Sequence, residues 1–469
     1  MSTLEPGTII DDFRLDKIVY RGGMATLWRV SHAHMQMPLV MKVPRLDYGD
    51  DPAAIVGFEV EQMIMPTLCG PHVPRFVAAG DFTARPYIVM EFIEGQSLRE
   101  ALERAPLPAT EVAALGAKVA TALHQLHRQH VIHLDLKPSS VLFRANGDAV
   151  LIDYGLAHHN QLPDLLAEQF HLPMGTGPYI SPEQLHGVRD DARSDLFALG
   201  VTLYFLATGE RPFGNPTSIS GLRQRLYRET VPPVVRQKTI PPWLQEIILH
   251  CLEVDAAQRY KTAAQIAFDL QNPAQVKLSA RAELRTRSSL ATTAGRWLRS
   301  IGNGPVAHHS VADHLASAPI VMVAVDLMPG MEALGDTLRR ATRRVLAAEA
   351  GARLTCVSVL KTSRLALDSN IDTEGRNLHV QRLVELKHWA RGLDVAAELV
   401  TFHVLEAPDA ASAIIEYAQN NDVDHIVVGA RASSALRRFL GSVSSRVVAE
   451  APCSVTVVRT PQTGRSDVE

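Results

Sequence analysis

Cysteine is scarce in this chain: there are four in 469 residues, Cys69, Cys251, Cys356 and Cys453, and none belongs to a C-x-x-C pair. Such spacing excludes a zinc knuckle or a disulfide framework and fits a reducing compartment. Long apolar runs are missing as well. The most extended, near Pro319 to Met328, is interrupted by Asp326 and is too short to cross a bilayer, so no membrane association is expected. The N-terminal M-S-T-L-E-P-G lacks a basic region leading into an apolar run; no signal peptide is expected, and the expected location is cytoplasmic. Charge of one sign is also missing. A net charge of −3 gives no global reason to expect a nucleic-acid partner. What is present is an ordinary globular composition, 46% hydrophobic and 21% charged, in a chain long enough for two or three domains.

The stretch that organises the chain runs from Val131 to Gly155. It reads V-I-H-L-D-L-K-P-S-S-V-L-F, then a turn at Asn146-Gly147-Asp148, then V-L-I-D-Y-G, the pattern of a hairpin with polar loops at its ends. Asp135 and Asp153 stand at the ends of apolar segments, with Lys137 two residues and Ser140 five residues beyond Asp135. An acid able to orient a hydroxyl, a nearby ammonium and a second acid free to hold a metal are the parts phosphoryl transfer needs.

These residues resemble the eukaryotic-type protein kinase family, in its bacterial Ser/Thr branch, whose catalytic loop reads H-R-D-L-K-P-x-N and whose metal motif reads D-F-G. The resemblance implies a bilobal fold over residues 10–272, with an N-lobe at 10–93 and a C-lobe at 94–272. It assigns Asp135 and Lys137 to catalysis, and Asp153 and Ser140 to a metal ion. Gly22 and Gly23, in the stretch Ile18 to Trp28, would cover the ATP phosphates, although Tyr20 and Ala25 replace the outer glycines of G-x-G-x-x-G. Lys42, in Pro38 to Val43, matches V-A-I-K; its expected helix partner is Glu61, with Glu59 the alternative. Glu91 and Ile93 are the expected adenine hinge, with Met90 guarding the pocket behind it. Further on, Gly175 to Glu183 resembles the end of an activation segment and Ser194 to Gly200 the start of a buried central helix, and Arg259 is expected to pair with Glu183. ATP, Mg2+ and protein substrates are the implied ligands.

Two departures bear on mechanism. Leu134 replaces the arginine of H-R-D, so no cation awaits a phosphorylated loop, and the segment from Leu156 to Gly175 contains no Ser, Thr or Tyr. Switching by loop phosphorylation is therefore not expected. The histidines of this loop, His158, His159 and His171, are expected to be solvated rather than metal ligands. Ser140 replaces the metal-holding asparagine; a hydroxyl is the weaker ligand, and an activity that is slow or favours Mn2+ is expected. A pseudokinase that binds ATP without transfer is the alternative.

Residues 273–315 are rich in basic and hydroxyl side chains and read as a linker with a short helix around Trp297, carrying Ser288, Ser289, Thr292 and Thr293 as autophosphorylation candidates. From Pro319 onward strands and helices alternate, with the third strand expected over Val395 to Val400, which predicts an open parallel α/β sheet. This part, residues 316–460, resembles the Rossmann-like universal stress protein family. The resemblance rests on Val428-Gly429-Ala430-Arg431-Ala432-Ser433-Ser434 and Leu440-Gly441-Ser442-Val443-Ser444. It implies a second nucleotide site at Asp326, Gly429, Gly441, Ser442 and Val443. Ala432 stands where the family's second glycine belongs, which leaves nucleotide binding and a purely structural role as a homodimer interface both open.

Overall fold

The computed structural model describes residues 4–45, 52–82, 85–170, 172–286, 319–349, 351–362, 377–396, 399–430 and 442–460. The N-terminal lobe is a six-stranded antiparallel sheet of β1 (Ile9–Ile10), β2 (Phe13–Arg21), β3 (Ala25–His32), β4 (Met35–Pro44), β5 (Phe76–Gly80) and β6 (Tyr87–Glu91), ordered β1-β2-β3-β4-β6-β5. Helix α1 (Pro52–Ile64) is inserted between β4 and β5. One face of the sheet closes over Leu15, Trp28, Met41 and Val89, all buried.

The second lobe is mainly helical. Strand β7 (Gln96–Ser97) leads into α2 (Leu98–Glu103) through a reciprocal cap: the Ser97 hydroxyl accepts from the helix backbone while Glu100 accepts from Ser97 N–H. Helix α3 (Ala109–His127) follows, then β8 (Val131–Ile132), the hairpin of β9 (Val141–Phe143) and β10 (Ala149–Leu151), and β11 (His158–His159). The Asn146 turn forms as its sequence dictates, Asp148 N–H donating to Asn146 Oδ1 at 3.0 Å and Gly147 taking φ 85°. Helix α4 (Leu165–Gln169) precedes α5 (Arg193–Thr208), whose residues are buried on nearly every side, as an all-round apolar helix requires. After α6 (Ile219–Arg223), helices α7 (Pro233–Arg236) and α8 (Pro242–Cys251) pack against α5, α9 (Ala263–Gln271) packs against α3, and α10 (Ala280–Glu283) docks on α8. Ser279 Oγ donates to Glu246 at 2.9 Å and Arg281 Nε to Glu253 at 2.7 Å, so the first part of the basic segment lies on the lobe. Trp297 and the four hydroxyl residues near it lie outside the described residues.

The C-terminal domain is a five-stranded, wholly parallel sheet of β12 (Ile320–Ala324), β13 (Arg353–Lys361), β14 (Val400–Ala407), β15 (His425–Gly429) and β16 (Ser454–Val458), ordered β14-β13-β12-β15-β16. Helices α11 (Glu332–Ala348) and α12 (Leu378–Ala390) cover one face through Leu338, Leu386 and Trp389; α13 (Ala410–Asn420) and α14 (Ser442–Glu450) cover the other through Ile414, Ala418 and Val447. The open parallel α/β sheet is thus present, with one correction. The third strand starts at Val400, where the sequence pattern ends it, because Arg391–Leu393 form a tight helical turn and Asp394, at φ 57°, keeps the chain turning. Its buried face carries Thr401 and His403, which hide it from an apolar alternation.

The two domains meet along α12 and β14, which rest against α1 and α4. Val380, Leu383 and Val404 join the apolar cluster of the N-terminal domain. No described helix is long and apolar enough to cross a membrane.

Candidate active site

The loop from His133 to Ser140 is fixed from beneath by Asp195 at the start of α5. Its two carboxylate oxygens accept from His133 N–H and Leu134 N–H, each at 2.9 Å, and one of them also meets His127 Nε2 at 2.8 Å. Burial would raise this carboxyl, but the His127 bond and neighbouring charges outweigh it and hold Asp195 below the usual range. The clamp holds Leu134 at φ 58°, a left-handed conformation rare outside glycine, with its side chain buried. Leu134 C=O accepts from Gln184 Nε2 at 2.8 Å. Asp195 and Gln184 had no assigned role in the sequence reading, since their contacts span some 50 to 62 residues of chain. The only available signal was the position of Asp195 at the head of the buried helix.

Asp135 emerges from this loop nearly buried. Its Oδ1 accepts from Thr176 N–H at 2.8 Å, and its Oδ2 pairs with Lys137 Nζ. The acid, the ammonium and the end of the Leu156–Gly175 segment therefore meet at one point. Ser140 is turned inward: its hydroxyl accepts from Lys137 N–H at 2.9 Å and donates to Lys137 C=O at 2.8 Å. One oxygen lone pair is left for any further ligand.

Asp153 follows β10 with φ 73° and its side chain half exposed, 2.9 Å from Lys42 Nζ. Lys42 reaches Glu61 on α1 at 2.5 Å, so geometry selects Glu61 over Glu59. Burial opposes the Lys42 charge, yet Asp153 and Glu61 together keep its ammonium above the ordinary lysine range. The shared cation treats its two acids unequally: Lys42 holds Asp153 well below the carboxylate range, while burial raises Glu61. Tyr154 is fully buried, donates to Leu151 C=O at 2.8 Å and lies against the His133 ring. Behind it two backbones nearly touch: a Cβ on Gly57 of α1 would sit 2.9 Å from Gly155 O.

Over the same cleft, Gly22 N–H donates to Ala25 C=O at 2.9 Å, closing the tip of the β2–β3 hairpin, and the position of a Gly23 side chain is open space. At the opposite wall Glu91 accepts a forked bond from Arg144, at 2.8 Å to Nη2, while its N–H donates to Arg75 C=O at 2.8 Å. Ile93 and Met90 are buried beside it. A Cβ on Gly95 would overlap Phe143 O at 1.7 Å, so only glycine lets the chain cross here. Among the described residues no three His, Cys, Asp or Glu side chains converge. A divalent cation at Asp153 would draw most of its shell from phosphate oxygens and water, an arrangement Mg2+ favours. The set fits a metal-bound nucleoside triphosphate.

Glu183 and Arg259 form a forked pair at 2.6 and 2.8 Å. Two of the loop histidines, His158 and His159, are packed rather than solvated. His158 meets Asp164 at 3.0 Å, and His159 is buried in β11, with burial lowering its pKa; His171 lies outside the described residues. Pairing of β11 with β8 draws the segment inward. In the C-terminal domain, Asp326 lies just beyond the end of β12 and Gly429 ends β15, neighbouring strands at the point where the strand order reverses, the usual crevice of such sheets. Asp326 Oδ1 accepts from Met328 N–H at 3.3 Å; Ser442 and Val443 open α14, and Gly441 lies outside the described residues.

Comparison with known proteins agrees with both halves. Residues 13–269 match the protein kinase domain family model and residues 319–459 that of the universal stress protein family. A probable serine/threonine-protein kinase of Clostridium perfringens is 29% identical over 260 residues, 55% of this chain and 38% of that protein. The serine/threonine-protein kinase PknB of Mycobacterium leprae is 30% identical over 271 residues, 56% of this chain and 43% of that protein. The chain thus spans well under half the length of these curated relatives. The crystal structure of the Mycobacterium tuberculosis PknI kinase domain is 20% identical, covering 57% of this chain and 99% of that one at a TM-score of 0.46.

Proposed function

This chain belongs to the protein kinase domain family and carries a universal stress protein domain, and from that premise we propose that it is an ATP-dependent protein serine/threonine kinase acting in stress or energy signalling. One observation carries the reading. Asp135 and Lys137 converge at the end of the segment, and Asp153, Lys42 and Glu61 converge a short distance away across the cleft. In the proposed reaction the substrate hydroxyl hydrogen-bonds to Asp135, its oxygen forms the new bond to the γ-phosphorus, and the bond to ADP breaks as the proton passes to Asp135. Lys137 steadies charge on the transferring group. Lys42, held by Glu61, draws the phosphates into line. Asp153, with help from Ser140, would hold Mg2+, which would supply charge neutralisation at the phosphates. Gly22 and Gly23 let backbone amides approach the phosphates, and the backbones of Glu91 and Ile93 bind adenine.

A second reading has one observation in its favour. The Ser140 hydroxyl is bonded to both backbone groups of Lys137, which leaves it a poor ligand and fits a nucleotide-sensing scaffold without transfer. Transfer of labelled γ-phosphate by the purified chain with Mg2+ and with Mn2+, beside Asp135→Ala, separates the two. Label that disappears in the variant establishes the kinase; ATP binding with no label under either metal establishes the scaffold. For the C-terminal domain, the crevice at Asp326 and Gly429 supports a second adenine nucleotide. Titration should then give two ATP per chain; one ATP, together with a dimer in sedimentation, would assign that domain to self-association.

A further inference from the structure

The C-terminal domain does not touch the kinase domain at an arbitrary place. It meets α1, which carries Glu61, and α4, which lies in the segment between Asp153 and Thr176. Two neighbouring acids on α1 face opposite ways. Glu61 holds Lys42 inside the cleft at 2.5 Å, whereas Glu59, nearly buried, pairs with Lys387 of α12. The Lys387 ammonium also lies 5.3 Å from the Phe82 ring and 5.7 Å from Phe402.

The contact with α4 is built the same way. Glu168 reaches into the C-terminal domain, where Arg353 Nη2 meets Oε1 at 2.9 Å and His403 Nε2 meets Oε2 at 2.8 Å. The backbone is secured too: Asn421 Nδ2 donates to Glu168 C=O at 3.2 Å, and Gln169 Nε2 donates to Val404 C=O at 3.1 Å. A largely buried carboxylate between two basic side chains is costly to separate, because each partner would be left unpaired.

These contacts answer a question raised by the sequence. The stretch from Leu156 to Gly175 has no hydroxyl to phosphorylate, and Leu134 supplies no cation to receive one. Here the charges are supplied the other way round: the segment offers the Glu168 carboxylate, and the second domain the Arg353 guanidinium. We propose that the C-terminal domain is a built-in brace whose Arg353, His403 and Lys387, with Glu168 and Glu59, are positioning residues that hold α4 and α1 in the arrangement required for phosphate transfer. A ligand or modification that lifts the domain would then silence the kinase without touching its cleft. The proposal rests on the phosphotransfer reading for its activity readout only.

The test uses the full chain with a generic basic protein as phosphate acceptor. It compares wild type, Lys387→Glu, the charge swap Lys387→Glu with Glu59→Lys, and Glu168→Gln, a near-isosteric change. Each is assayed for label transfer and for amide hydrogen exchange over residues 52–64 and 165–169. The expected result is at least an approximately fivefold loss of transfer in Lys387→Glu and Glu168→Gln, with faster exchange in both segments, and recovery of transfer and protection in the swap. Full transfer despite faster exchange overturns the brace, as does a swap that regains protection without transfer, or unaltered exchange in the single variants. If the wild type transfers no label with either metal, the kinase reading fails, and exchange alone decides the brace.

Discussion

Gly57 is the residue on which the geometry of the cleft turns most directly. Any side chain there meets Gly155 O at 2.9 Å, backbone against backbone, so α1 must retreat and take Glu61 away from Lys42. Gly57→Ala should leave the fold intact and, under the proposed role of Lys42 and Glu61 in placing the phosphates, lower kcat/KM for ATP by on the order of 10- to 100-fold, the cost of a small misplacement; steady-state kinetics checks it. Ser140 makes a different demand. If its hydroxyl limits metal binding, Ser140→Asn should raise the rate with Mg2+ relative to that with Mn2+, read as the ratio of the two; a lower ratio would mean that the bonds to Lys137 matter more. Ser140 could be singled out in the sequence because it sits at a fixed spacing within a motif, whereas Gly57 could not, since its approach to Gly155 exists only in the fold. Nor could Asp195, because its work, fixing Leu134 at φ 58°, depends on a helix that arrives some 60 residues later.

At the scale of elements, the end of the segment is tied to the helical lobe by Glu183 and Arg259, a pair with the Arg259 side chain fully enclosed. Arg259→Ala should destabilise the lobe by about 3–5 kcal/mol, since it strands a largely buried carboxylate; thermal unfolding measures it. Acid should loosen α4 and its cap. Burial would raise Asp164 and Glu168, but Arg189 and His158 in one case, and His403 and Arg353 in the other, hold both carboxyls below the ordinary range. A depressed carboxyl contributes stability that is complete above its unfolded value, about 4, and is lost as pH falls through the lower folded value. Protection over 165–169 should therefore hold at pH 5 to 7 and fall below about pH 4, and exchange measured across that range checks it. The alternating strands and helices of the C-terminal domain were readable from periodicity, β14 excepted, where Thr401 and His403 occupy the buried face and break the apolar signal; short helices such as α4, α6 and α7 carry too few turns to leave one.

For the molecule as a whole, the sequence spoke of two domains and was silent on their contact, since a docking surface leaves no local pattern. Lys387, His403 and Arg353 read as ordinary polar residues until they face Glu59 and Glu168. Because Val380, Leu383 and Val404 belong to the apolar cluster of the other domain, the two halves should melt together. Calorimetry of the full chain should give one transition, and Glu168→Gln should split or broaden it. The docking has one more consequence, for assembly. β14 is an outer strand of its sheet, with a carbonyl that another chain's strand would otherwise claim. Gln169 takes that carbonyl. The kinase domain thus screens part of this sheet border from strand pairing with another chain, and whatever parts the domains uncovers it.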